Sequence, residues 1–180
     1  MSATIDVVPE GWTALADADV FYPEDLPDDW RLTYFANAFK SVLVPSAAWA
    51  SAADETLRAW RADVHPGFRF YLDRPSPLDR AQCARAAASL GPALAAFVAG
   101  EGVTDSAQDA ELLVLGSGDG RRFGVAARCP MPLNGDLRAA RDWLRGRVEH
   151  AQPLRLVILQ RPTASQLAAW HDLLQLMGLG

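Results

Sequence analysis

Apolar and polar residues follow two alternating periods along this 180-residue chain. Short runs dense in large apolar residues occur at 5–8, 41–44, 68–72, 111–115, 124–127 and 154–159, and each predicts a strand. Between most of them apolar residues recur every three or four positions, which puts a stripe on one face of a helix. Leu32, Phe35, Ala36 and Phe39 form one stripe. Leu137, Ala140, Leu144 and Val148 form a second, and Leu167, Trp170, Leu174 and Met177 a third. Helix starts are marked as well. Ser51 with Asp54 resembles a capping box for a helix through Leu57 and Trp60. Ser76-Pro77 reads as N-cap and first turn of an Ala-rich helix to about Leu90, ended by Gly91-Pro92. Thr163 with Gln166 is a full capping box. Strands alternating with helices predict parallel βα units.

One segment departs from that alternation. The runs 111–116 and 121–128 flank Ser117-Gly118-Asp119-Gly120, and two apolar runs around an Asp-Gly turn predict a hairpin. A crossover helix has no room there. The glycines at 116, 118 and 120 do not make a nucleotide cradle, because the dinucleotide pattern needs glycine where Arg121 stands and no phosphate-loop lysine follows. Residues 99–110 are the best loop candidate. With no internal repeat, low-complexity tract or linker, residues 1–180 read as a single domain.

Composition narrows the class. A chain 50% hydrophobic and 22% charged is an ordinary globular one. No apolar run approaches the roughly 18–20 residues of a membrane span, and the N-terminus lacks the pattern of a signal peptide, so the expected location is cytoplasmic. Cys83 and Cys129 lack metal or redox spacing and are expected to be reduced structural thiols. The net charge of −5 is uneven: residues 1–30 carry eight acids and no Lys or Arg. Arg138, Arg141 and Arg145 share a helix face, but Asp136, Asp142 and Glu149 dilute it, so a solvated face is expected and nucleic-acid binding is not.

Residues 20–35, VFYPEDLPDDWRLTYF, place an aromatic-Pro turn, an acidic Pro-containing loop and an amphipathic helix start in fixed order. With Gly11-Trp12 before them and Phe68-Arg69-Phe70 after, they resemble the YecE-like proteins, a family of TIM-barrel fold whose biochemical function is not established. The resemblance runs from Ile5 to about Pro75. It returns more weakly over 123–128, 138–148, 154–159 and the last helix, while the middle does not match. It implies an α/β fold: a reduced or incomplete (β/α) TIM-like barrel of about six strands with one β-hairpin (111–128). A full barrel takes about 250 residues, so one or two βα units are expected to be deleted or reduced. An incomplete barrel leaves strand edges to cover, and a homodimer through an open edge is one expected solution, with Trp12 and Trp49 in βα loops as candidate exposed aromatics.

The resemblance also implies where chemistry would sit, at the C-terminal ends of the strands. The family resembled here shows Glu and Asn, then Tyr, at the second strand; this chain has Leu43, Pro45 and Trp49. Where the family has Lys and then Thr-His, this chain has Asp73, Asp79 and Arg80. Cys129-Pro130 stands in place of a His-Gly, and Gln160-Arg161-Pro162 in place of Asn residues. General acid–base work needs a group tunable to neutrality, which Leu43 and Pro45 do not supply. No other constellation replaces the lost one: His65, His150 and His171 fall away from strand C-termini, and Ser46 lacks the nucleophile-elbow context. The expectation is a non-catalytic relative acting by binding or assembly, with no assigned catalytic residue, no metal and no cofactor. The alternative is a lyase, isomerase or hydrolase acting on a phosphorylated or carboxylated metabolite. A surviving pocket would be lined by Trp49, Asp73, Arg128 and Arg161 and would hold a small anionic ligand through bidentate Arg contacts.

Overall fold

A computed structural model describes residues 4–74, 79–99, 109–114, 121–148 and 153–180. The fold is mixed α/β. Seven strands, β1 (Asp6–Pro9), β2 (Ser41–Val44), β3 (Arg69–Asp73), β4 (Leu94–Ala99), β5 (Asp109–Val114), β6 (Arg121–Arg128) and β7 (Leu154–Leu159), form one sheet in the order β1-β7-β6-β5-β4-β3-β2. All pairings are parallel except those of β5, which runs antiparallel to both β4 and β6. The two end strands of that order also meet, through a single parallel bridge between Glu10 and Leu43.

The expected strands are all present within a few residues, but β4 is additional. Its sequence, LAAFVA, follows an Ala-rich helix and is itself half alanine, a residue depleted in strands. What makes it a strand is burial on both faces: Ala96 and Val98 face one side of the sheet and Phe97 the other, all essentially inaccessible. Of the loop expected over 99–110, Ala99 belongs to β4 and Asp109 and Ala110 to β5, while the residues between them lie outside the described ones. The hairpin is present as the antiparallel β5–β6 pair, while its Asp-Gly turn lies outside the described residues.

Among the described residues seven α-helices lie between or after the strands: α1 (Ala18–Phe21), α2 (Arg31–Ala38), α3 (Ser46–Trp49), α4 (Asp54–Ala62), α5 (Arg80–Leu90), α6 (Leu137–Val148) and α7 (Ala164–Leu176). The capping box at Thr163 is as expected, with its Oγ1 accepting from the Gln166 backbone N–H and the Gln166 side chain accepting from the Thr163 N–H. The one at Ser51 is not. Residue 53 is the N-cap of α4 and no side chain caps it. Asp54 turns outward instead to Arg85 of α5, whose guanidinium bonds its Oδ1 at 2.7 Å and also the carbonyls of Ala50 and Ala52. The bidentate reach of arginine thus ties the α3–α4 link down better than a capping hydroxyl would. Ser76-Pro77 lies outside the described residues; α5 starts at Arg80 with Asp79 as its cap, accepting from the N–H groups of Ala81 and Gln82.

Two apolar clusters lie on opposite faces of the sheet. The larger holds the inner faces of the helices, including Phe35, Trp49, Leu57, Leu144 and Trp170. The smaller gathers Val8, Leu43, Tyr71, Ala96, Val98, Ala126, Leu156 and Ile158, one or two side chains from each of β1, β2, β3, β4, β6 and β7. Trp60, expected in the core, is half-buried and stands edge-on to Trp12 at 5.2 Å. In α6 only Ala140 and Leu144 of the expected stripe are buried, because Leu137 and Val148 sit at its two exposed ends.

His171 of α7 stacks on Phe39 at 6.1 Å, with its Nε2 buried and without a hydrogen-bond partner. Burial holds its pKa below the ordinary 6.5, helped by Lys40 and opposed by Asp6 and Asp172. The unfolded chain therefore takes up a proton that the folded chain resists, and this part of the stability is lost as pH falls through 6.5. Replacing His171 by Phe should flatten the fall in urea midpoint between about pH 7 and about pH 5. Equal pH dependence in both proteins would contradict the assignment. The caps make a second prediction: Thr163→Ala and Asp79→Ala should each cost about 1 kcal/mol in urea unfolding, and Ser51→Ala less than about 0.5 kcal/mol.

Candidate functional site

Side chains alternate between the faces of a strand, so the residue two beyond a member of the small cluster shares its face. Glu10 follows Val8 in this way, Asp73 follows Tyr71, and Arg128 follows Ala126. All three stand at the C-terminal ends of their strands, where they crown the small apolar cluster. Below it, at the other end, the Tyr71 hydroxyl donates to the Asp6 carboxylate. Burial first, and then the Asp6 charge, push the Tyr71 pKa far above its ordinary value, so it remains a neutral donor.

Arg128 forms an ion pair with Glu10. Each side chain keeps about a third of its surface exposed, 33% and 30%. Burial lowers the Arg128 pKa from its ordinary 12.5, but an arginine starting so high stays charged at neutral pH. Glu10 was not among the residues that the sequence singled out. Its only signal was its position, the acid directly after the first strand and before Gly11-Trp12.

The loop after Glu10 is fixed by backbone chemistry. Gly11 has φ +98°, a conformation that favours glycine, although a Cβ there would meet nothing closer than 3.8 Å. The Tyr22 hydroxyl donates to the Trp12 carbonyl, and the Asp17 carboxylate accepts from the Ala164 N–H at 2.9 Å. The loop is thereby stitched to the start of α7. These are the residues that carry the resemblance, and here they organise the backbone.

The four residues expected to line a pocket have different fates. Trp49, expected to be exposed, is fully buried against Phe97, because its Nε1 donates to the Asp73 carbonyl at 2.7 Å and draws the ring under the end of β3. Asp73 is half-buried and joined to Trp49 by that bond. Arg128 is tied to Glu10. Arg161 is exposed, just beyond β7, and among the described residues it alone of the non-glycines has a positive φ, +44°. Asn134 holds the preceding carbonyl, that of Gln160, at 2.9 Å. Arg128 and Arg161 end neighbouring strands, whereas β4 and β5 separate β6 from β3 and hence Arg128 from Asp73 along the sheet.

The two cysteines are free and buried, and burial pushes the Cys129 thiol up to about 12, so neither is a ready nucleophile. Among the described residues no group of three or more His, Cys, Asp and Glu is placed to hold a metal ion, and no helix is long and apolar enough to cross a membrane. His150 lies outside the described residues.

Residues 9–100 match a family described as "Protein of unknown function DUF72", which is the YecE-like family. The chain belongs to this family. No curated protein and no solved structure matches the chain. The family match runs from the last residue of β1 through the Gly11-Trp12 turn, the aromatic-Pro loop and β2 to β4, so it extends past Pro75. It ends where the antiparallel strand β5 replaces the regular alternation, and the weaker likeness expected over residues 123–176 lies beyond it.

The Glu10–Arg128 pair makes a measurable claim. In a double-mutant cycle with Glu10→Gln and Arg128→Met, the coupling should be on the order of 1 kcal/mol, since partial exposure screens the pair well below the value of a buried one. It should shrink in about 0.5 M salt. A coupling indistinguishable from zero at low salt would show that the pair does not hold the rim together.

Proposed function

We propose that this family member is non-catalytic, built on a reduced (β/α) barrel, and works by binding or assembly. The closed form is supported by the Glu10–Leu43 bridge between the end strands and by the small cluster, to which six strands contribute. The single observation that carries the functional reading is the ion pair of Arg128 with Glu10 directly above that cluster. The carboxylate and the guanidinium neutralise each other, and the cluster beneath them is aliphatic except for Tyr71, whose hydroxyl is taken up by Asp6 at the far end.

A second reading has one observation in its favour. Arg161 holds a left-handed backbone at a strand end, a strain that a glycine would relieve, and strain of this kind clusters at functional sites. With Arg128 on the neighbouring strand it would form the anion-binding side of an enzyme acting on a phosphorylated or carboxylated metabolite.

Amide chemical shifts under titration with inorganic phosphate and with malonate separate the two. The non-catalytic reading predicts no saturable change at Glu10, Asp73, Arg128 or Arg161 up to about 10 mM of either anion, within the range of metabolite-level affinities. Saturable shifts that vanish in Arg161→Gly would overturn it and favour the enzyme. In either case Arg161→Gly should stabilise the fold by up to about 1 kcal/mol.

A further inference from the structure

An open groove of about 630 Å³ lies between the C-terminal halves of α6 and α7. Val148, Leu173, Leu176, Met177 and Leu179 line it, and Arg141 and Arg145 flank it. Leu176 is 87% exposed and Val148 43%, so the groove presents bare apolar surface. Its charge is also unspent. Among the described residues Arg145 has no ion pair, and Arg141 bonds only the adjacent Asp142, in exposed geometry worth little.

The opposite kind of surface sits elsewhere on the same chain. The loop and short helices over residues 19–30 expose Asp19, Glu24, Asp25, Asp28 and Asp29, of which, among the described residues, only Asp28 has a cationic partner, Arg31. Among these carboxylates Val20 is 81% exposed and Trp30 61%. A large exposed aromatic ringed by charge is the usual anchor of an interface.

The two surfaces are far apart on one molecule. The groove lies by the C-terminal ends of helices that run back from the strand C-termini, where the Leu179 carbonyl accepts from the N–H of Ile5 just before β1. The acidic loop follows the C-terminal end of β1. One chain therefore cannot satisfy itself, but two copies can.

We propose that the α6–α7 groove binds the acidic segment 19–30 of a second copy, with Trp30 and Val20 on the apolar floor and the carboxylates against Arg141 and Arg145. This names the assembly part of the function proposed above, and it involves none of the side chains Glu10, Asp73, Arg128 and Arg161. Its failure leaves the anion titration untouched, and the reverse also holds. The contact is heterologous: each molecule keeps one unused groove and one unused acidic segment, so association continues beyond a dimer unless a ring closes. Edge pairing of strands is not required, because β1 and β2 already meet at Glu10 and Leu43.

Sedimentation velocity on the full chain tests this. Species larger than a monomer should grow in between about 5 and about 200 µM at low salt, and about 0.3 M salt should weaken them at least about tenfold. A groove variant, Arg141→Glu with Arg145→Glu, and a loop variant, Trp30→Ser, should each remain monomeric alone, with circular dichroism and melting temperature confirming that both are folded. Mixed in equal amounts they should form a dimer and stop there, because the first supplies only a working loop and the second only a working groove. A wild-type chain that stays monomeric throughout this range would overturn the proposal. So would a mixture that forms no dimer, or variants that still self-associate. Decanoate shifting groove amides in a strictly monomeric wild-type chain would overturn it in favour of an amphiphilic small molecule.

Discussion

The arrangement depends on β1 being paired along its length to one neighbour and bridged at its end to another strand. Along its whole length it runs parallel to β7, and at its end Glu10 bridges to Leu43 of β2. An exposed β1 edge would leave a row of backbone donors and acceptors open to other chains. The bridge brings the first and last strands of the order together at one point, and one face of six strands contributes to a common set of eight side chains. The same pairing carries Glu10 to the end of β6, where Arg128 meets it. The polar rim and the apolar interior are therefore consequences of one backbone constraint.

The sheet also departs from a regular alternation of parallel strands and helices at β5. A parallel strand needs a crossover of a dozen or more residues, whereas an antiparallel one needs only a turn. β5, antiparallel to both neighbours, keeps the sheet continuous from β4 to β6. The family match ends at residue 100, immediately after β4 and before the antiparallel strand β5. Gly124 marks the join to the parallel part: a Cβ there would lie 2.7 Å from the Pro153 carbonyl oxygen, so β6 approaches the start of β7 more closely than any side chain permits.

Much of the fold was legible in the sequence because local chemistry and tertiary packing agree. The stripe at Leu32, Phe35, Ala36 and Phe39 is buried as its period requires, and Thr163 caps α7 through its own hydroxyl. Where distant residues decide, the sequence was silent. Nothing near Ser51 announces that Asp54 will be taken by Arg85, and nothing in LAAFVA separates a strand buried on both faces from a stretch of helix. The candidate site suffered most from this. Trp49 sits in a loop by sequence, yet its indole reaches the Asp73 carbonyl across 24 residues and is fully covered. Glu10 gave no hint of its role, because an ion pair between the first and sixth strands exists only once the sheet has formed.

The bridge between β1 and β2 is the contact on which this account of the rim and the interior rests. Long-range proton–proton contacts measured by NMR test it most directly. The account predicts cross-peaks between the backbone protons of Glu10 and Leu43, and between the Tyr71 ring and the Asp6 β-protons. Their absence in a well-dispersed spectrum, with Leu43 in contact only with β3, would contradict it.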